Sequence, residues 1–296
     1  MDAWLDLVDP ERAQLLEALP VEVAPDVLER CLAAAPERPR PWLDGYGQYV
    51  FGVMTAMAPD PDDDRIESLE VDFVATSERL VVIRKTSPHG KIWQPDCLEA
   101  AEDASSAGEL VHRLVDDVAE SYLGVVDFAD SEIDELEDHI DDWSSARVRR
   151  RISALRHDLI HARRTVGATR VKVRRITDKR LDIADEGLFP EGVERLFSDT
   201  YETLFRAGEE LDIARDLLAS SRDYHQALIA ENQNEIVKKL TVIASVLLLP
   251  TLIVGFYGQN FESAFDDAYW SIGASTLLIV ATTVLQLAVF RLRRWI

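Results

Sequence analysis

Lys238-Lys239-Leu240-Thr241-Val242-Ile243-Ala244-Ser245-Val246-Leu247-Leu248-Leu249-Pro250-Thr251-Leu252-Ile253-Val254-Gly255-Phe256-Tyr257 is the stretch that decides the architecture. Two lysines are followed by eighteen residues without a charged side chain, and a second uncharged run, Ala268 to Phe290, comes after only a short acidic loop. A helix crosses ~30 Å of hydrocarbon with about 20 apolar residues, so the first run spans with its flanks and the second with some tilt. Everything before Leu240 is too polar to insert. The chain therefore reads as a soluble region anchored at its C-terminal end by two spans, 240–257 and 268–290, whose connecting loop, 258–267, lies across the membrane.

The flanking charges give the sidedness. Lys238 and Lys239 precede the first span, and Arg291, Arg293 and Arg294 form a basic tail, 291–296, after the second. Between the spans stand Glu262, Asp266 and Asp267 and no base, so the positive-inside rule places both ends of the chain in the cytoplasm of a multi-pass cell-membrane protein. Met1-Asp2-Ala3-Trp4-Leu5-Asp6 has neither the basic flank nor the apolar core of a signal peptide. Across 296 residues, 54 acidic side chains face 32 basic ones, a formal charge of -22 that opposes nucleic-acid binding and suits a protein that attracts cations. Cys31 and Cys97 are the two cysteines, too few for a disulfide framework, and read as ordinary core residues.

Residues 1–104 read as a mixed α/β domain. Pro36, Pro39 and Pro41 punctuate an early loop, and Pro59-Asp60-Pro61 begins another. In Ser68 to Val74 the apolar Leu69, Val71 and Phe73 alternate with Glu70 and Asp72, the period-two pattern of a sheet with one buried face. A turn at Thr76 to Glu78 leads into Leu80 to Ile83, Tyr49 to Met57 is a third strand, and a helix over Asp9 to Leu19 covers the sheet. No phosphate-binding glycine loop, H-E-x-x-H or nucleophile elbow occurs, and the isolated His89 and His112 read as surface or structural residues, so no enzyme is indicated.

Residues 105–191 form a helical hairpin with charge blocks of opposite sign. Asp116 to Asp142 carries twelve acids and no Lys or Arg, and Arg147 to Arg180 carries thirteen Lys and Arg against two acids. The arms attract each other; the acidic arm is also a surface that hard divalent cations suit. From Gly192 no proline interrupts the chain until Pro250, so a cytoplasmic stalk helix, 192–239, runs into the first span, roughly 100 Å at about 1.5 Å per residue. Steps of three and four from Asn234 give Val237, Thr241, Ala244, Leu248, Thr251 and Gly255. This seam of small and polar groups either packs helices against each other or lines a pore, where Val237, Leu240 or Leu248 form dewetting constrictions.

Asn234-Glu235-Ile236-Val237-Lys238-Lys239-Leu240-Thr241, then Pro250-Thr251, then Tyr257-Gly258-Gln259-Asn260-Phe261, and a basic C-terminus resemble the CorA magnesium-channel family in order and spacing. The likeness extends upstream through Asp199-Thr200-Tyr201-Glu202 and Asp130-Ser131-Glu132-Ile133-Asp134-Glu135-Leu136-Glu137. It implies an α+β cytoplasmic domain, a long stalk helix and two C-terminal transmembrane helices assembled as a funnel-shaped homopentamer, with five first spans around the pore. By the same resemblance Gly258, Gln259 and Asn260 hold the selectivity motif, with Asn260 ringing the outer entrance. Asn234 and Thr251 map to inner polar positions and Val237 and Leu240 to an apolar gate, while Glu262, Asp266 and Asp267 concentrate cations outside.

Mg²⁺ keeps its waters, which neutral carbonyl oxygens can hydrogen-bond, and the membrane potential draws it inward at about 2.3 kcal/mol per charge per 100 mV. Asp199 and Asp223 fall at acidic positions where family members bind regulatory Mg²⁺ between subunits and hold the pore shut. Mg²⁺ is thus transported and regulatory ion, and no other cofactor is implied. One departure stands out: Gln259 replaces the methionine of the family's Gly-Met-Asn. Relatives with altered middle residues include ZntB-like zinc transporters, so the conducted ion stays among Mg²⁺, Co²⁺, Ni²⁺ and Zn²⁺, and a non-conducting membrane scaffold or sensor is the reading of another class.

Overall fold

The alternation from Ser68 to Val74 lies within strand β4, Arg65–Ala75, which runs antiparallel to both β3, Val50–Asp60, and β5, Leu80–Arg84. These elements come from a computed structural model that describes residues 4–60, 65–98, 104, 106–185, 187–258 and 268–295. β2, Trp42–Gly45, extends the sheet antiparallel beside β3, and β1, Trp4–Val8, forms the other edge parallel to β5, giving the order β1-β5-β4-β3-β2. The Thr76 amide closes the β4–β5 turn by donating to the Arg79 carbonyl at 2.9 Å.

Both faces of the sheet are covered, which corrects the one-sided burial expected from the alternation. Helices α1, Arg12–Ala18, and α2, Pro25–Leu32, lay Leu15, Ala18, Val27, Leu28 and Cys31 over Phe51, Val53, Val74, Val81 and Ile83. The alternate residues Met54, Val71, Phe73 and Val82 are equally buried on the other face, against which α3, Ala107–His139, packs. Glu70 and Asp72, on the α2 side, are therefore 1% and 0% exposed. Lys85 holds them there: its Nζ lies 2.7 Å from a carboxylate oxygen of each and donates to the Arg30 carbonyl at 2.8 Å. Charges leave water at several kcal/mol each unless paired, so one shared ammonium is what lets two acids sit on an inward strand face. Burial pushes the Asp72 carboxyl up to about 7, against the pull of Lys85. The same burial works against the Lys85 ammonium, but Asp72 and Glu70 more than reverse it and raise its pKa.

α3 begins at the N-cap Ser106, whose hydroxyl accepts from the Glu109 amide at 3.2 Å. Gly108 follows because nothing larger fits: a Cβ there would stand 1.8 Å from the Leu188 carbonyl oxygen. Deeper in α3, the fully buried Tyr122 donates to the Thr55 carbonyl at 2.6 Å and meets the Thr169 hydroxyl at 3.0 Å, so one phenol ties together α3, β3 and α4, Ser145–Thr177. The arginines of α4 disperse rather than serving α3 alone. Arg151 pairs with Glu132 on α3, Arg175 reaches Asp44 in β2 at 2.9 Å, and Arg163 reaches Asp212 at 2.9 Å on α5, Glu191–Tyr257. Both cysteines are buried, and burial raises both thiols, Cys31 to about 12.

The described residues divide into two compact units, one up to Arg222 and one from Asp223. α5, 67 residues long, continues from the first into the second, carrying Pro250 in its interior. In the first unit its buried face is Phe197, Thr200, Leu204, Ala207, Leu211, Ala214 and Leu218, an i, i+3, i+4 repeat. α6, Ala268–Leu292, completes the second unit.

Candidate functional site

The apolar half of α5 and residues 273–292 of α6 are long and apolar enough to cross a bilayer, with mean hydropathies of 2.2 and 1.9. Within this unit α5 has two unlike sides. Val242 and Ile253 are 8% and 7% exposed, and Ser245, Val246, Leu249 and Pro250 are half-buried around them. Val237, Leu240 and Leu248 are 58%, 63% and 67% exposed, and Asn234, Thr241, Thr251 and Gly255 are exposed with them, while Ala244 is half-buried. At about 100° per residue the seam centres roughly opposite Val242 and Ile253. Among the described residues the predicted pore-lining positions other than Ala244 are thus exposed, as are Ile243, Leu247, Leu252 and Val254.

The chemistry of that side is specific. Thr241 donates its hydroxyl proton to the Val237 carbonyl at 2.8 Å, and Thr251 does the same to Leu247 at 2.7 Å. With each proton spent inside its own helix, the hydroxyl oxygen has lone pairs to offer outward, and an acceptor suits either a cation or the protons of its bound water. Gly255 adds no side chain, and a Cβ built there meets nothing within 4 Å. The Gly258 amide donates to the Val254 carbonyl at 2.8 Å, closing the last turn. Below the apolar run Lys239 pairs with Glu235 at 3.4 Å. Gln259, Asn260, Glu262, Asp266 and Asp267 lie outside the described residues.

The predicted regulatory acids fall in different units. Asp199 is exposed on α5, close enough to His112 to act on it electrostatically, and Asp223 is exposed at the start of the second unit. Among the described residues no three His, Cys, Asp or Glu side chains converge where they could hold a metal ion. Beside Asp199 there is instead a polar clasp that single-residue reading misses: Thr200 donates to Asp116 at 2.6 Å and meets His112 Nε2 at 3.0 Å. Burial lowers the His112 pKa, against the opposing pull of Asp116. The signal for it was spacing, since His112 and Asp116 stand one helical turn apart. Also missed were Ile213 and Leu217, exposed and one turn apart on α5, and Phe205, whose ring lies 5.4 Å from the Arg170 guanidinium.

The family model described as CorA-like Mg2+ transporter protein matches residues 3–294. The cobalt/magnesium transport protein CorA of Thermotoga maritima is 22% identical over 302 residues, covering 99% of this chain and 83% of that protein. A zinc transport protein ZntB of Yersinia pseudotuberculosis is 27% identical over 265 residues, 86% of this chain and 75% of the other. The complete CorA magnesium transporter structure from Methanocaldococcus jannaschii superimposes with a TM-score of 0.79 at 19% identity, over 99% of this chain and 91% of that one, so the α+β part, the long helix and the two C-terminal apolar helices are a shared fold.

Proposed function

The chain belongs to the CorA-like Mg2+ transporter family, and on that premise we propose that this divalent-cation transporter takes up Mg²⁺ down the membrane potential as a homopentamer. The carrying observation is that the hydroxyl and small groups of Thr241, Ala244, Thr251 and Gly255 share the side of α5 turned away from Val242 and Ile253. Among the described residues of a single copy that side is mostly exposed, with Ala244 half-buried. Five copies around an axis turn it into a wall, with the Val237 and Leu240 rings as a dewetting gate and Thr251 and Asn234 as polar rings. The exposed Ile213 and Leu217 on the cytoplasmic course of α5 support assembly from several copies.

In this arrangement residues 1–239 form the cytoplasmic mouth and residues 291–296 return to the cytoplasm, in keeping with Lys238, Lys239, Arg291, Arg293 and Arg294 flanking the spans. Residues 258–267 make the outer entrance, where the Gly258-Gln259-Asn260 amides hydrogen-bond a hydrated ion and Glu262, Asp266 and Asp267 raise its local concentration. Cytoplasmic Mg²⁺ bound near Asp199 and Asp223 at subunit contacts neutralises carboxylates and favours the closed state.

Flux into proteoliposomes holding an inside-negative potential tests this. Saturable Mg²⁺ uptake that falls at least tenfold in Asn260→Ala is the expected result; uptake no greater than in protein-free vesicles overturns it and favours a non-conducting scaffold. Gln259 and the likeness to a zinc transporter favour one second reading, Zn²⁺ as cargo. Competition decides between them: Zn²⁺ displacing Mg²⁺ at equal concentration selects the zinc reading.

A further inference from the structure

α6 carries one amide side chain along its length, Gln286, and its Nε2 donates to the backbone carbonyl of Ser245 on α5 at 3.3 Å. A carboxamide turned the other way would set oxygen against oxygen, so chemistry fixes this orientation. The cost shows at the other end of the group, where Oε1 is buried with no hydrogen-bond partner among the described residues. In hydrocarbon an unpaired amide oxygen is unfavourable, and leucine would fill the place without that penalty. A residue placed against its own solvation calls for a role other than stability.

Its grip falls at a particular place. Pro250 has no N–H, so the carbonyl four residues earlier, that of Val246, loses its helical partner, and the turn from Val246 to Pro250 is the weak turn of α5. Ser245 immediately precedes it. Thr241 and Ala244 of the candidate pore side lie before this turn, and Thr251 and Gly255 lie at or beyond its end. A bend or twist here would move one half of that side relative to the other.

We propose that Gln286 is a positioning residue for cation passage, clamping the proline-weakened turn of α5 to α6 so that the two halves of the Thr241-to-Gly255 side stay aligned. This rests on the reading of that side as the pore wall. Gln286 touches no cargo in this scheme, so its loss lowers the maximal rate and leaves the half-saturating concentration alone.

The test is Mg²⁺ uptake by the full chain in proteoliposomes, with Gln286→Met in native and Pro250→Ala backgrounds. Gln286→Met lowers the maximal rate about threefold, the size of one interhelical hydrogen bond in a membrane, at unchanged half-saturation. In Pro250→Ala, where Val246 regains an N–H partner, the same substitution costs less than half of that factor. Equal losses in both backgrounds, or a shifted half-saturation, overturn the proposal. Hydrogen exchange over residues 243–252 in nanodiscs reports on the clamp without transport: about threefold faster exchange in Gln286→Met supports it, and unchanged exchange overturns it. Absence of uptake by the unmodified chain would remove the transport reading alone, with the exchange result still deciding the clamp.

Discussion

Up to Arg222 the chain hides most of its apolar side chains and some of its charges, Ile213 and Leu217 being among the exceptions; from Asp223 it leaves Ile236, Leu240, Leu247, Leu248 and Leu252 bare. The residue types are the same in both. What differs is the solvent each is built for. The first unit buries its sheet on both faces, down to an ammonium shared by two acids, whereas the second has one packed side on α5 and leaves the rest apolar and exposed. Covered and uncovered sides of one helix therefore mark what this chain packs by itself and what it leaves open.

The sharpest attempt to break this contrast is Lys85→Met, which leaves the buried Glu70 and Asp72 with only the half-exposed Arg30, 3.6 Å from Glu70, as counter-charge. Urea unfolding of the full chain in detergent should show a loss of about 3–5 kcal/mol. Next comes a paired substitution in the second unit. Ile253→Asp places a carboxylate on the packed side and should cost about 3 kcal/mol, read as loss of assembled protein in the membrane; Leu248→Asp, on a side that meets water in the pore reading, should cost under about 1 kcal/mol. Equal costs would erase the distinction between the sides of α5. Gly108→Ala probes closeness of packing in the first unit: a Cβ against the Leu188 carbonyl forces a shift worth about 1–3 kcal/mol, seen as a lower thermal midpoint.

Asp72→Asn should have the smallest effect at neutrality, under about 1 kcal/mol, because a carboxyl raised to about 7 is already partly protonated there. Its signature is in pH. Below about 4 the unfolded chain holds the Asp72 proton as the native one does, and the stabilising contribution is complete. As pH rises toward 7 the unfolded chain gives up that proton while the native chain keeps it, so stability falls across this window. Asn carries no such proton, and the variant's stability profile should be flatter there.

Much of this contrast was readable in the residues. Charge-free runs locate the spans because bilayers tolerate little else, and the alternation around Leu69, Val71 and Phe73 finds β4. Burial of Glu70 and Asp72 was not readable, since a period of two says which side chains share a face and nothing about what covers it. The partner of those acids, Lys85, follows directly on the end of β5, 15 residues after Glu70, and is brought in by the β4–β5 register. Charge blocks gave the sign of α4 but not its targets: Arg163 and Arg175 leave the hairpin for α5 and β2, which only the packing reveals. For the seam on α5 the spacing from Asn234 named the residues, and Val242 and Ile253 show which side of α5 is packed within this chain. Gln286 escaped notice because an amide inside an apolar run is unremarkable until its neighbour is a proline-interrupted turn.

Both native thiols, Cys31 and Cys97, are shut away and held protonated, which makes them sluggish toward maleimides and other alkylating reagents. A cysteine introduced at Val237, Thr241, Leu248 or Thr251 is then the chain's one fast-reacting sulfur. Labelling rates can be walked turn by turn along the first span in the otherwise unaltered protein, with no need to strip out the natural pair first.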